Sequence, residues 1–279
     1  MSDSESEGGV PLIEAIFDPT ADTKKRKRGH EVDGTQDPKK AAKKAKRKEN
    51  KKQKKKDINE DDLDQELGVN HAFERMDSQL LADYINSRTR LYGKDLSTVE
   101  LDEQFIPTRS IQDSSSWTKP RTAENLAAFL KKKSGNKLHP TDAKPTGAPH
   151  TLVVTASGIR AADVFRALKT GLPKQGIQNP NVAKLFAKHM KVAEQVTFLK
   201  KNKIDFGVGT PERLTALLDQ NALSTTNLKR IVVDVSYIDQ KKRGILDMKE
   251  LHESLIGLLL RKEFVGDEDE DGSDLFLFY

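Results

Sequence analysis

Cysteine is absent from the 279 residues. Its absence excludes disulfides, thiolate zinc sites and cysteine nucleophiles together, and it fits a reducing compartment. Long apolar runs are absent as well. No stretch approaches the ~20 apolar residues that span a bilayer, so no transmembrane helix is expected. No apolar h-region follows Met1, so no secretory leader is expected. The six histidines are scattered, with no pair at a metal-ligand spacing such as i, i+4. These absences leave a protein with no membrane partner, no metal and no cofactor in view.

What is abundant is charge. Charged residues make up 33% of the chain, and the 48 Lys/Arg against 43 Asp/Glu sum to +5. The mean hydropathy is −0.68 and the pI is near 9.1. The small net charge hides a large separation. From Lys24 to Lys56 there are 17 Lys/Arg and 4 acids, so this window carries +13 and the other 246 residues carry −8. It holds Lys24, Lys25, Arg26, Lys27 and Arg28, then Lys39 and Lys40, Lys43 and Lys44, Lys46, Arg47 and Lys48, Lys51 and Lys52, and Lys54, Lys55 and Lys56. Ala, Gly, Pro and polar residues make up most of the spaces between them, so the run cannot bury enough apolar surface to offset its ordering entropy. A solubilising tail is one reading. Blocks this basic fit better a nuclear address combined with an RNA- or DNA-binding arm. Neutralised phosphates release counterions, so such an arm binds steeply with salt and with little sequence preference. No aromatic residue lies in the window, which argues against base stacking.

Around the window the leader alternates in character. Residues 1–23 are acidic and Ser-rich, with an apolar patch at Val10 to Phe17 that fits either a tail or a short docking motif. Asp57 to Glu66 holds six acids. Residues 1–69 therefore read as a disordered acidic and basic tail, with the folded part beginning near Leu67–Asn70. Residues 70–149 read as a helical extension and 150–279 as the main domain.

Phe73, Met76, Leu80, Leu81, Tyr84, Ile85 and Leu91 predict an amphipathic helix from His71 to Tyr92, closed by Gly93. Asp95 to Trp117 reads as an extended surface segment, Ala123 to Lys133 as a helix capped by Thr122, and Ser134 to Pro149 as a loop. From His150 strands alternate with helices. Thr151–Thr155, Ile204–Val208, Ile231–Val235 and Leu275–Tyr279 read as buried parallel strands. Helices are expected after Ile159, from Val182 through Leu199, from Thr210-Pro211 through Leu218, and around Leu251–Leu259. Thr is a favoured N-cap and Pro a favoured first helical residue. The order predicts an α/β fold with a parallel sheet and helices on both faces.

Three junctions resemble the first RecA-like lobe of DEAD-box RNA helicases over about Thr151–Tyr279. Val154-Thr155-Ala156-Ser157-Gly158-Ile159-Arg160-Ala161 sits where that family has Pro-Thr-Arg-Glu-Leu-Ala. Val208-Gly209-Thr210-Pro211-Glu212-Arg213-Leu214 is similar to its Ala-Thr-Pro-Gly-Arg-Leu. Ile231-Val232-Val233-Asp234-Val235-Ser236-Tyr237 occupies the place of the Asp-Glu-Ala-Asp strand. The resemblance implies a RecA-like lobe, and the departures decide its activity. A phosphate-binding loop needs Gly-x-x-x-x-Gly-Lys-Ser/Thr. Its expected place reads Ser114-Ser115-Ser116-Trp117-Thr118-Lys119-Pro120-Arg121-Thr122, without glycine, and Gly93-Lys94-Asp95 lacks the rest of the motif. Of the acidic box only Asp234 remains, with Val235 and Tyr237 at the other acidic positions. No Ser-Ala-Thr motif and no second lobe follow Tyr279 in this sequence. Phosphoryl transfer needs cradle, metal site and water-positioning group together, so no enzyme activity is expected. An ATP-dependent RNA helicase with an unusual phosphate site, and a chromatin or transcription factor with a basic tail, are the alternatives.

With its N-terminal half included, the chain resembles the Cms family of nucleolar, helicase-like proteins of the early small-subunit pre-ribosome, over about Asn70–Tyr279. The pieces are the lysine-rich leader, Ala82-Asp83-Tyr84-Ile85 with Arg88-Thr89-Arg90, Leu96-Ser97-Thr98-Val99-Glu100-Leu101, the Thr-Pro-Glu-Arg junction and Leu246-Asp247-Met248. The resemblance implies a non-catalytic role in ribosome biogenesis, in nucleus and nucleolus. Implied partners are pre-rRNA, small nucleolar RNA and pre-ribosomal protein subunits.

Candidate RNA- or partner-binding residues are Ser157, Arg160, Thr210, Arg213 and Tyr237. Thr210-Pro211-Glu212-Arg213 opens a helix, where N–H groups and the dipole favour an anion. It either holds an RNA phosphate, as the helicase loop does, or is a retained cap, and the charge of Glu212 favours the cap. Ser157 and Arg160 offer a similar choice. Asp234 reads as a turn cap, Trp117 and Tyr237 as core or stacking aromatics. Asp267–Asp271 reads as a solvated loop that shields a following edge strand.

Overall fold

A computed structural model describes residues 60–134, 138, 145–172, 180–187, 190–265 and 275–279. The lysine window, the Val10–Phe17 patch and the acidic run at 267–271 lie outside the described residues, as does most of the expected loop at 134–149.

The first regular elements come earlier than the sequence suggests. A short turn at Glu60–Asp62 leads into β1 (Leu63–Asp64), which pairs antiparallel with β2 (Val69–Asn70). Local chemistry explains the turn. The Asp64 carboxylate accepts from the N–H groups of Glu66 and Leu67, both at 2.9 Å. Gly68 takes φ +64°, a region in which side chains are strained.

The helix expected over His71–Tyr92 divides at Met76. A 3-10 turn covers His71–Arg75, and α1 covers Ser78–Tyr92. Asp77 causes the break, because its carboxylate caps α1 by accepting from Leu80 N at 2.8 Å. The segment expected to be extended from Asp95 to Trp117 instead holds α2 (Thr98–Asp102), opened by a Ser97/Glu100 capping box, and β3 (Ile111–Gln112). Then follow α3 (Ala123–Ser134), β4 (Thr151–Val154) and α4 (Gly158–Gly171). The long helix expected from Val182 is a strand first, β5 (Val182–Leu185), and a helix second, α5 (Val192–Lys201). Its apolar spacing fits both periods, and parallel pairing with Phe206–Gly209 decides for strand. β6 (Phe206–Gly209), α6 (Pro211–Asp219), β7 (Arg230–Val233), α7 (Lys249–Leu259), α8 (Lys262–Val265) and β8 (Phe276–Phe278) complete the chain.

Six strands form one sheet in the order β3-β8-β7-β4-β6-β5, every neighbouring pair parallel. The strand that ends at Phe278 is thus interior, between β3 and β7, so there is no edge there to shield. Because β3 and α3 belong to the sheet and its layers, the expected helical extension and main domain share one core.

Period-two alternation divides that core into two layers. Leu152, Val154, Ile231, Val233, Phe276 and Phe278 face the layer of α1, α6 and α7. Val153, Phe206, Val208, Val232 and Leu277 face α3 and α4. Gly207 suits this packing: a Cβ there would sit 2.7 Å from Leu185 Cδ1 and 2.8 Å from Leu152 Cδ2, so both leucines would have to shift.

Candidate functional site at the carboxyl edge of the sheet

Ligands of open α/β sheets bind outside the carboxyl ends of the strands. Three strand–loop–helix junctions meet that edge here, and each is occupied by the chain's own side chains.

The β3–α3 junction, residues 113–122, is where a phosphate cradle is expected. Arg121 fills it instead. Its side chain is fully buried. One Nη donates to Phe278 O at 2.9 Å, and the other donates to Ser114 O at 3.3 Å and Ser114 Oγ at 3.1 Å. Ser114 Oγ in turn donates to Phe278 O at 3.0 Å. Nε has no hydrogen-bond partner among the described residues. Burial pushes the guanidinium down to about 10, although still protonated at neutral pH. Lysines of α3 tie the loop from outside: Lys132 Nζ donates to Ser116 O at 2.8 Å and Lys133 Nζ to Asp113 O at 2.6 Å. Trp117 is core, its ring edge-on to Phe129 at 5.5 Å. A glycine-rich cradle aims free N–H groups at a ligand; this loop is rich in side chains and turned inward.

At the β4–α4 junction the structure brings together Ser157, Arg160, Asp234 and Tyr237. Ser157 caps α4, its Oγ accepting from Arg160 N at 3.2 Å. Arg160 is 8% exposed and Asp234 1%. The guanidinium donates twice to the carboxylate, Nε to Oδ2 at 2.7 Å and Nη2 to Oδ1 at 3.2 Å. Its Cζ lies 4.4 Å from the centre of the Tyr237 ring. Burial alone would lower this guanidinium; the charge and hydrogen bonds of Asp234 outweigh it and hold it above its ordinary value. Asp234 is therefore one half of a buried ion pair, in place of the turn cap expected from sequence. Arg160 is the other half and presents no free cation.

At the β6–α6 junction Thr210 takes the N-cap position without a side-chain cap bond, and Pro211 opens the helix. Arg213 turns inward, donating to Met190 O at 2.9 Å and Gln195 Oε1 at 2.8 Å. The Gln195 amide donates to Lys184 O and Phe186 O at 2.9 and 3.2 Å, so it covers the outer carbonyls of edge strand β5. Arg213 thus positions a plug for a sheet edge. Neighbouring elements close the remaining ground. Asn70 N donates to Ser236 O at 2.7 Å, Ile238 N donates to Gly68 O at 3.0 Å, and Val69 bridges Tyr237. Among the described residues no group of three His, Asp or Glu could hold a metal.

Sequence reasoning missed Arg121 and Gln195. Nothing in the local sequence marks either, since their partners are mostly backbone carbonyls brought to them by the fold.

A family model described as "CMS1: U3-containing 90S pre-ribosomal complex subunit" matches residues 20–279. The chain belongs to the CMS1 family. The match takes in the lysine window as well as the folded part, and the resemblance expected from the leader and the Thr-Pro-Glu-Arg junction holds. Protein CMS1 of Chaetomium thermophilum is 53% identical over 204 residues, covering 73% of this chain and 80% of its own length. Protein cms1 of Schizosaccharomyces pombe is 33% identical over 184 residues, 65% of this chain and 63% of its own length. Protein CMSS1 of Homo sapiens is 31% identical over 183 residues, 65% of this chain and 59% of its own. The chain spans less than two thirds of the latter two CMS1 relatives.

Proposed function

We propose that the protein is a non-catalytic RNA- and protein-binding scaffold of the early small-subunit pre-ribosome, working in pre-rRNA processing and assembly in the nucleolus. The observation that carries this reading is Arg121. A buried guanidinium occupies the β3–α3 junction, so the expected place of a phosphate cradle is filled by the chain itself. The parallel six-stranded sheet with helices on both layers supports descent from a RecA-like lobe whose nucleotide edge has been filled. Membership of the CMS1 family supports the assembly. The Lys24–Lys56 window supplies the nuclear address and most of the non-specific affinity for pre-rRNA or small nucleolar RNA. At the sheet edge Ser157, Thr210 and Tyr237 keep partial exposure, and Ile159 stands 70% exposed. What that edge offers a partner, beside the exposed carboxylate of Glu212, is a patch without a free arginine.

Two measurements test the reading on the full chain. Calorimetry with ATP and Mg²⁺ is expected to show no binding; saturable binding coupled to RNA-stimulated hydrolysis would favour a helicase. Removing residues 24–56 is expected to flatten the slope of log K for RNA against log salt by several units, at roughly 0.7 per phosphate contact for single strands. An unchanged slope, with nuclear import intact, would reduce the window to a solubiliser.

A further inference from the structure

On the layer of the sheet that carries α1 and α7, a cleft of about 400 Å³ opens between the end of α1, the segment 93–104 and α7. The sealed carboxyl edge plays no part in it. Tyr92, Leu96, Ile256 and Leu260 give it apolar walls. Gly257, in the last turn of α7, also lines it, and a methyl added there would meet nothing within 4 Å among the described residues. Glycine inside a helix costs about 1 kcal/mol relative to alanine, and here the position leaves the wall bare. His252 belongs to the same wall and is almost fully buried. Its Nε2 meets Thr89 Oγ1 at 2.9 Å, and its Nδ1 has no hydrogen-bond partner among the described residues. Thr89 Oγ1 donates to Ile85 O at 3.2 Å. Nε2 is then the ring's donor, and Nδ1 is a vacant acceptor.

Charge identifies the occupant. The two segments that form the rim carry Asp95, Glu100, Asp102, Glu103, Glu250 and Glu253, all exposed. Against them stand Lys94 and Lys249, the latter already 3.5 Å from Glu253, while Arg90 is stacked on Phe105. Such a rim repels phosphate and attracts cations. Its apolar floor takes an uncharged anchor. We infer that this cleft docks a lysine- or arginine-rich protein segment that inserts an apolar side chain between α1 and α7. This deepens the scaffold reading with a protein-binding face whose charge is opposite to that of the lysine window. It is tested on different residues, so failure of the window to bind RNA leaves it standing.

The test uses the full chain and a fluorescein-labelled 16-residue peptide of alternating lysine and leucine blocks, read by anisotropy at physiological salt. A second peptide has serine for every leucine. Gly257→Leu fills the cleft from its own wall, and Asp95→Lys with Glu253→Lys inverts the rim. The melting temperature is expected not to fall in either variant, since all three positions are exposed, and Gly257→Leu should raise it slightly by removing a helix glycine. Binding of the leucine peptide is expected to weaken about tenfold or more with Gly257→Leu, the loss of one buried leucine-sized anchor. It should weaken similarly with the double charge reversal, and the serine peptide should be insensitive to Gly257→Leu. Equal binding to wild type and Gly257→Leu would overturn the proposal. Displacement of the peptide by a single-stranded RNA, itself sensitive to Gly257→Leu, would assign the cleft to RNA and overturn it too.

Discussion

Two junctions of the same sheet edge bury an arginine, and they solve the cost of burial differently. At β4–α4, Arg160 meets a carboxylate with two hydrogen bonds and an aromatic face. At β3–α3, Arg121 meets only carbonyls and one hydroxyl, with Nε left over. The guanidinium beside Asp234 is held above its ordinary value, whereas burial pushes Arg121 down to about 10. Charge pairing makes the first junction a two-part device that fails when either part is lost. Solvation by carbonyl dipoles makes the second a filler, tolerant of a neutral replacement of similar shape. In both, a cation that could have served a phosphate serves the fold.

Four outcomes break or sharpen that contrast, beginning with the largest. Asp234→Ala strands Arg160 in the core and is expected to cost about 3–5 kcal/mol, read as a fall in chemical-denaturation stability. Adding Arg160→Met should recover most of it; a double variant no more stable than the single would dissolve the pair as the explanation. Next is a third solution to burying a base, a neutral one. His252 is held down to about 4, by burial first and the Arg88 charge second. Its folded value lies below the unfolded 6.5, so the unfolded chain binds the extra proton. Stability from this group is complete above pH 6.5 and is lost as the pH falls toward 4. The loss is on the order of 3 kcal/mol once the ring is charged in both states. His252→Phe should flatten that stretch of the stability profile, and an unchanged acid slope would remove His252 as its source. Arg121→Met is expected to cost only about 1–2 kcal/mol, because lost carbonyl bonds are offset by the removed desolvation penalty. A loss as deep as that of Asp234→Ala would make the two junctions alike. Smallest is Tyr279→Phe, which deletes the hydroxyl that donates to Thr122 O at 2.8 Å and should cost about 1 kcal/mol by thermal melting.

Legibility in the sequence followed the range of the interactions. Thr151–Val154, Ile231–Val233 and Phe276–Phe278 could be read as strands because, Thr151 apart, every residue is apolar and the runs are short. The Thr210-Pro211 helix start could be read because capping is local. Val182–Leu185 could not, since its apolar positions also fit a helix until β6 is beside it. The two residues of β3 carry no pattern at all, and their pairing with Phe276 and Leu277 comes from the far end of the chain. The candidate residues divide the same way. Ser157, Arg160, Asp234 and Tyr237 all stand at junctions that the sequence marks, but that Arg160 is paired with Asp234, 74 residues on, came only from the structure.

By itself the sequence determined the charge separation, the lack of thiol, metal and phosphate motifs, the alternation of strands and helices, and the resemblance that proved to be the family. These are matters of composition and of neighbours a few residues apart. Only the tertiary structure decided what the arginines do. Arg121 reaches Phe278 across 157 residues, and Thr89 meets His252 across 163. Whether a buried cation faces a ligand, a carboxylate or a carbonyl depends on which strand ends lie beside it. That order is set by sheet pairing, which local sequence does not encode.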